Sequence, residues 1–259
     1  MDQAKYYSCT NCLTGVPPGH KFCGRCGTNI PDDIMSHVPQ FYSDMQDPKK
    51  ARLILVRGEG MEGLSYHLKA DEHVLGRTGQ LEFPDDPFVS PRHCNFFYRA
   101  GVLVVRDEAS LNGVFVRIRG TVPIAAGDTI MVGDEVMRFD LPPKAPSGED
   151  PEGTFFYASP KQATVIRVTH LIEGGATGLT ICSTSSSLSI GREDCDANFI
   201  GDSYISGKHC TIEENQGSFT ITDHDSKNGT FLRIKGERDL VHGDYVFVGR
   251  KLLRVEIPN

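Results

Sequence analysis

The stretch LNGVFVRIRGTVPIAAGDTIMVG, from Leu111 to Gly133, returns later in the chain as KNGTFLRIKGERDLVHGDYVFVG, from Lys227 to Gly249. The same spacing relates Ser90-Pro91-Arg92-His93 to Ser206-Gly207-Lys208-His209, and Gly76-Arg77 matches Gly191-Arg192 with one residue less between them. The chain therefore holds two copies of one domain. Many matching positions are polar loop residues. Loop residues kept at fixed spacing indicate a binding site, whereas matched apolar residues indicate only a shared core.

Both copies consist of short apolar runs separated by glycine and charged turns, such as RLILVR, CNFFYR and VLVVRD in the first and HCTIEE and DYVFVG in the second. Such runs, rich in β-branched and aromatic residues and spaced about ten residues apart, predict an antiparallel β-sandwich. We therefore expect an all-β protein. The predicted segments are a cysteine-rich head over residues 1–30, a linker over 31–50, a first sandwich over 51–141, a second linker over 142–162 and a second sandwich over 163–259. Residues 51–141 and 163–259 are called the first and the second repeat below.

Composition narrows the class of protein. The 259 residues carry a formal net charge of -7, and this acidic balance disfavours binding to nucleic acid. The sequence has no run approaching the roughly 20 apolar residues that span a bilayer, and its N-terminus lacks the apolar core of a secretory signal. Paired cysteines near the N-terminus and scattered single cysteines elsewhere favour a reducing, cytoplasmic location.

Two CxxC pairs occupy the head, Cys9-Thr10-Asn11-Cys12 and Cys23-Gly24-Arg25-Cys26. Each pair places two thiols on one side of a tight turn, and two such turns form a four-sulfur site suited to Zn²⁺. About 30 residues bury too little apolar surface to fold unaided, so we expect a structural zinc ion held by Cys9, Cys12, Cys23 and Cys26. His20 is a further candidate ligand, although four sulfurs already complete the shell. Two disulfides or a redox CxxC are the alternatives, but the βαβ pattern typical of a redox motif is missing. The FCGRCG segment resembles the zinc ribbons at the ends of many bacterial proteins, which suggests a bacterial source.

The repeated polar residues lie where a sandwich gathers its loops. Arg77 and Arg192 each end a strand, the Ser-x-x-His motifs precede a strand, and Asn112 and Asn228 sit in turns between strands. An arginine fork, a serine hydroxyl and a further cation form a dianion site, because guanidinium groups bind phosphate oxygens in pairs. An asparagine amide both donates to and accepts from an extended peptide.

This GR…SxxH…NG pattern, present twice, resembles the forkhead-associated (FHA) domain, a family of phosphothreonine-peptide binders, over about residues 51–141 and 163–258. The resemblance implies that Arg77 and Arg192 hold the phosphate, that Ser90 and Ser206 donate hydroxyl bonds to it, and that Asn112 and Asn228 bind ligand main chain. It implies a structural role for His93 and His209, which brace the loop. Arg92, Gly207, Lys208 and Lys227 complete the expected binding set.

At two positions of this set the second copy offers a polar group that the first copy lacks. Gly207 retains a backbone N–H where Pro91 has none, and Lys227 stands where the first copy has Leu111. We therefore expect the second site to bind phosphopeptide more strongly.

The sequence thus predicts a non-enzymatic adaptor that binds phosphothreonine-containing proteins downstream of a Ser/Thr kinase. Two alternatives remain open. One is a phosphate-independent protein scaffold. The other is a zinc-ribbon protein associated with nucleic acid or transcription, in which the FHA-like domains are regulatory.

Overall fold

The computed structural model describes residues 7–9, 11–12, 15–16, 21–23, 25–29, 50–57, 63–143, 148–160 and 163–258. The predicted linker 31–50 lies outside the described residues except for residue 50, and His20 lies outside them too. The chain divides into two compact units, Met1–Pro48 and Lys49–Asn259.

The described residues contain strands and no helix, so the all-β prediction is confirmed. In the head, β1 is Tyr7–Ser8 and β2 is Gly15–Val16. The first repeat forms β3 Arg52–Arg57, β4 Ser65–His67, β5 Glu72–Gly76, β6 Leu81–Glu82, β7 Cys94–Arg99, β8 Val102–Asp107, β9 Val114–Arg117, β10 Thr121–Ile124, β11 Thr129–Val132 and β12 Glu135–Asp140. The second repeat forms β13 Ile166–Leu171, β14 Thr177–Ser183, β15 Ser187–Gly191, β16 Ala197–Asn198, β17 Cys210–Asn215, β18 Ser218–Asp223, β19 Thr230–Arg233, β20 Glu237–Leu240, β21 Tyr245–Val248 and β22 Lys251–Glu256. Among these residues there is no helix long and apolar enough to cross a membrane.

Strand side chains follow the two-residue period of a half-buried sheet. In β3, Leu53 and Leu55 are buried, whereas Arg52 and Val56 are exposed. In β22, Leu253 and Val255 are buried between partly exposed neighbours. Successive side chains point to opposite faces of a strand, so each strand contributes one apolar face to a core.

The two repeats exchange strands. A ten-stranded sheet has the order β14-β13-β12-β11-β19-β9-β21-β22-β3-β4, and its central strands alternate between the repeats. One five-stranded sheet has the order β20-β8-β7-β5-β6, and the other has the order β10-β18-β17-β15-β16. In each five-stranded sheet, four strands come from one repeat and the edge strand comes from the other.

The two hydrophobic cores show the same exchange. The core of the first sandwich contains buried residues from Ala51 to Val116 together with Leu240 to Val255. The core of the second sandwich contains buried residues from Ile118 to Phe139 together with Ile166 to Ile221. The chain therefore leaves the first sandwich after β9 and returns to it after β19. A smaller cluster of Phe115, Met131, Phe231 and Phe247 lies on these central strands.

Each sandwich consequently contains strands of both repeats and does not coincide with the predicted segments 51–141 and 163–259. The physical reason is that the repeats share one strand pattern. A shared strand pattern does not by itself specify which copy β10–β12 join. Within the second linker, residues 148–160 contain a tight turn in which the Asp150 carboxylate accepts hydrogen bonds from the backbone N–H groups of Glu152 and Thr154.

Strand exchange predicts that the repeats stay associated after the linker is cut. Five buried aliphatic residues of the second repeat belong to the first core, namely Leu240, Val246, Val248, Leu253 and Val255. Exposing them would cost on the order of 10 kcal/mol. With a protease site inserted between Pro151 and Glu152, the cut protein should elute as one species in native size-exclusion chromatography and separate only in denaturant. Two folded fragments that elute separately would contradict the exchange.

Candidate functional site

The second site is built from three loops that hydrogen bonds draw together. Arg192 directly follows β15, and its backbone N–H donates to the carbonyl of Ser206 at 3.0 Å. The hydroxyl of Ser206 accepts a hydrogen bond from the backbone N–H of Lys227 at 3.1 Å. Asn228 follows, and its Nδ2 donates to the carbonyl of Tyr204 at 2.7 Å. Loops from three strand connections therefore meet at one rim of the second sandwich.

The first site repeats this arrangement at the rim of the first sandwich. The backbone N–H of Arg77 donates to the carbonyl of Ser90 at 3.0 Å. The hydroxyl of Ser90 accepts from the backbone N–H of Leu111 at 3.2 Å, and Nδ2 of Asn112 donates to the carbonyl of Phe88 at 2.8 Å. The equivalence of every bond shows that the repeated polar residues specify a common loop geometry.

These bonds leave part of each polar group able to bind a ligand. Each serine hydroxyl accepts within the protein, so its own hydrogen can be donated to an anion. Each asparagine uses one N–H for the neighbouring loop, and its Oδ1 and second N–H can pair with an extended peptide. At the second site, the Arg192 side chain is 41% exposed and lies 3.7 Å from Glu193 Oε1. Glu193 is 66% exposed, and such a solvated pair contributes little, so a dianion can displace it.

The structure brings the predicted residues of each site to the corresponding rim. For the second site these are Arg192, Ser206, Gly207, Lys208, Lys227 and Asn228, and for the first they are Arg77, Ser90, Arg92 and Asn112. Lys208 and Lys227 are exposed, as are Arg77 and Arg92. The side chain at the first-site position equivalent to Lys227, Leu111, is 85% exposed and offers only apolar surface.

Two buried histidines hold the loops in place through hydrogen bonds from the interior of each sandwich. Nδ1 of His209 accepts the backbone N–H of Ser206 at 3.1 Å, and its Nε2 donates to the carbonyl of Gly229 at 3.1 Å. His93 makes the equivalent bonds with Ser90 and Gly113. Both rings are fully buried, so neither can contact a ligand.

Sequence reasoning missed a second set of loop residues, the Asp-x-x-Ser-x-x-Gly motif before β9 and β19. In the second site, the hydroxyl of Ser226 donates to Asp223 at 2.6 Å and accepts the N–H of Gly229 at 3.0 Å. Asp107 and Ser110 occupy the same positions in the first site. The available signal was their repetition at the spacing that relates the two copies.

The four head cysteines form one cluster. Their Sγ atoms all lie within 4.8 Å of one another, and the Cys9–Cys26 and Cys12–Cys23 pairs are each separated by 3.6 Å. Sulfurs bound tetrahedrally at about 2.3 Å from one metal ion lie about 3.8 Å apart, so this spacing fits a four-thiolate site. The hydroxyl of Thr28, 3.1 Å from Cys26 Sγ, lowers the pKa of that thiol to about 6 and favours the thiolate form that binds metal. The structure describes all eight cysteines, and none forms a disulfide.

Comparison with known proteins agrees with this geometry. Residues 73–133 and 188–249 match the family model described as the FHA domain. The chain is therefore a tandem FHA-domain protein, and its head carries a cysteine cluster consistent with a zinc ribbon. Because of the strand exchange, each matched segment begins in one sandwich and ends in the other.

Solved structures of FHA domains are similar to this chain. The FHA domain of the CT664 protein from Chlamydia trachomatis is 9% identical, with 81% of this chain and 99% of that chain covered and a TM-score of 0.34. The FHA domain of an Arabidopsis thaliana hypothetical protein is 12% identical, with 82% and 87% covered and a TM-score of 0.33. Mycobacterium tuberculosis EmbR in complex with a low affinity phosphopeptide is 22% identical, with 38% and 25% covered and a TM-score of 0.22. No curated protein sequence matches the chain significantly.

The bracing histidines predict a loss of stability in mild acid. Burial lowers the pKa of His93 and of His209, and the hydrogen bonds to the Gly113 and Gly229 carbonyls only partly offset this effect. The folded pKa lies below the unfolded value of about 6.5, so the folded state binds fewer protons. The contribution of the two neutral histidines to the free energy of unfolding is complete above about pH 6.5 and is lost as the pH falls toward their folded pKa.

The denaturant concentration at the unfolding midpoint should therefore decrease as the pH is lowered from about 7.5 to about 5.5. His209→Gln should flatten this dependence, because it removes one titrating group, and His67→Gln at an exposed position is the matched control. Equal pH dependence in all three proteins would contradict the assignment.

Proposed function

We propose that this protein is a non-enzymatic adaptor that binds phosphothreonine-containing peptides at the rims of its two FHA domains. The observation that carries the proposal is the convergence of Arg192, Ser206 and Asn228 from three loops tied to one another by backbone hydrogen bonds. A phosphothreonine brings about -1.5 to -2 charges and three acceptor oxygens, which match an arginine fork beside a serine hydroxyl. The side-chain amide of Asn228 then forms hydrogen bonds with the peptide main chain.

The second site is proposed as the stronger binder. Lys227 offers an ammonium group where Leu111 offers none, and Gly207 offers a backbone N–H where Pro91 cannot. Glu193 opposes this ranking because it lies near Arg192, but its exposure lets water screen its charge. The first site keeps Arg77, Ser90 and Asn112 and would bind more weakly.

Two sites in one compact unit fit an adaptor that receives phosphorylated partners from a Ser/Thr kinase. The strand exchange places both sites in the unit Lys49–Asn259, so residues 142–162 are not their sole connection. Such a unit holds the two sites at a fixed distance from each other. A partner with two phosphothreonines separated by a matching distance could occupy both sites at once and would gain avidity. The set of thiols without a disulfide suits the reducing cytoplasm, which is the proposed location.

Phosphopeptide binding by single-site variants tests the proposal. Arg77→Ala leaves the second site to be measured, and Arg192→Ala leaves the first. Losing the charge-assisted bonds of one arginine should weaken its own site roughly ten- to hundredfold, because each such bond contributes about 1.5–3 kcal/mol. We expect Arg77→Ala to retain the tighter binding of a phosphothreonine peptide library in fluorescence anisotropy.

Two controls separate the alternatives. Unphosphorylated peptides should not bind; if they bind as well as phosphorylated ones, the protein is a phosphate-independent scaffold. In the Arg77→Ala background, Lys227→Leu should weaken binding about two- to fivefold, the scale of an exposed charge pair. In the Arg192→Ala background, Leu111→Lys should strengthen it by a similar factor. Tighter binding at the unmodified first site would refute the ranking.

The head is proposed to hold one structural zinc ion. Four thiolates complete a tetrahedral shell, so the ion would have a structural and not a catalytic role. Structural zinc contributes roughly 10–16 kcal/mol in peptides of this size, and that binding energy is available to fold a segment with little core of its own.

Metal analysis of the purified protein checks this assignment. We expect one equivalent of zinc per chain by mass spectrometry, and loss of that equivalent in Cys9→Ser, because three thiolates bind the ion far less tightly. Cys182→Ser is the matched control, since Cys182 is exposed and lies outside the cluster. Full zinc content in Cys9→Ser, or none in the wild type, would contradict the proposal.

A further inference from the structure

Strand exchange brings an arginine of each repeat against the binding loop of the other. Arg117 ends β9 in the first repeat, and its Nη2 donates to the carbonyl of Ser226 in the second-site loop at 3.2 Å. Arg233 ends β19 in the second repeat, and its Nη2 lies 3.5 Å from the carbonyl of Ser110 in the first-site loop. The two arginines occupy equivalent positions of the repeated sequence, so the contact is reciprocal.

Each arginine packs on the glycine that follows the binding asparagine. Gly113 and Gly229 have φ values of +80° and +87°, in the region that favours glycine. A Cβ at Gly229 would overlap the guanidinium of Arg117, and one at Gly113 would overlap that of Arg233. Glycine therefore suits the backbone conformation, and its lack of a Cβ lets the arginine side chain lie directly against the turn. The guanidinium packs against the peptide next to Asn228 or Asn112.

A turn of the opposite repeat holds the other side of each site. In the second site, the carboxylate of Asp202 accepts the backbone N–H of Asp134 at 2.6 Å and that of Tyr204 at 2.7 Å. Tyr204 in turn accepts the side-chain bond of Asn228. A chain of three bonds thus links the β11–β12 turn of the first repeat to a binding residue of the second.

The first site has the equivalent arrangement, with the roles of the two repeats exchanged. The backbone N–H of Arg250, in the β21–β22 turn of the second repeat, donates to Asp86 at 2.9 Å. The other oxygen of Asp86 accepts the N–H of Phe88 at 3.0 Å, and Phe88 accepts the bond from Asn112. Asp86 and Asp202 are both buried, and a buried carboxylate is costly unless hydrogen bonds satisfy it. Each carboxylate depends on the opposite repeat for one of those bonds.

We infer that both phosphopeptide sites are composite. One repeat supplies the groups that touch the ligand, and the other supplies the groups that fix their positions. Arg117 is a positioning residue for the second site although it belongs to the first repeat, and Arg233 is a positioning residue for the first site although it belongs to the second. This inference rests on the proposed function for its effect on binding, but its effect on loop geometry does not.

The crossed dependence can be measured in the full chain. In the Arg77→Ala background, where only the second site binds, Arg117→Ala should weaken phosphothreonine-peptide binding about three- to tenfold, the scale of one lost hydrogen bond, and Arg233→Ala should have little effect. In the Arg192→Ala background the two variants should exchange roles. Each variant is thus the matched control for the other. Arg117→Lys should restore part of the affinity lost at the second site.

Hydrogen exchange reads the loops without any ligand. Arg117→Ala should speed amide exchange in a peptide covering residues 224–230 and leave residues 108–114 as in the wild type. Arg233→Ala should do the reverse. Thermal melting shows whether an alanine variant has unfolded as a whole. If it has, Arg117→Lys and Arg233→Lys are compared instead.

The outcomes are distinct. If the wild type binds no phosphopeptide but exchange shows the crossed pattern, the proposed function fails and the positioning assignment stands. If each arginine variant affects only the site and loop of its own repeat, the composite arrangement is overturned. If neither variant changes binding or exchange, the arginines do not position the loops, and the inference is overturned as well.

Discussion

The pairing of β9 with β19 at the centre of the ten-stranded sheet is the constraint on which the rest of the unit Lys49–Asn259 depends. At these two strands each repeat leaves one core and enters the other, with Leu232 opposite Val116 in the register. Val114 and Val116 still face the first core, whereas Ile118 already faces the second. Neither core is complete without strands of both repeats. Folding of the two sandwiches is therefore coupled. Contacts between residues so far apart in the sequence slow the formation of the native state.

The same crossing explains how small polar loops hold a defined geometry at an exposed rim. Loops are ordinarily the most mobile parts of a sandwich. Here the rim loops of each sandwich are fixed from within by a buried histidine and an Asp–Ser pair, and from outside by a guanidinium and a turn amide of the other repeat. Tyr204 is further covered by the Arg57 guanidinium, whose Cζ lies 4.3 Å from the ring centroid. Preorganisation of this kind lowers the entropic cost of binding a flexible peptide.

Particular residues show how far the sequence leads. The meeting of Arg192, Ser206 and Asn228 at one rim could be predicted, because polar loop residues repeated at fixed spacing point to loops gathered at one end of a sandwich. The cysteine cluster could be predicted because two CxxC turns suit one metal ion. Asp202 and Ser226 carried the same repetition but were not singled out, since single turn carboxylates and hydroxyls are common in loops. Arg117 and Arg233 were visible in the repeated segment too. Their targets were not, because each contacts a loop more than 100 residues away in the chain.

The sequence by itself determined the strand pattern, the all-β class, the residues of two equivalent rims and the four-cysteine head. These features follow from local periodicity and from spacing within one repeat. Only the tertiary structure decided which copy of β10–β12 and β20–β22 completes which sandwich, and hence which arginine serves which loop. The physical reason is that two repeats with one strand pattern offer nearly equal partners to every exchanged strand. Local preferences therefore cannot choose between them, and the choice falls to the packing of the assembled cores.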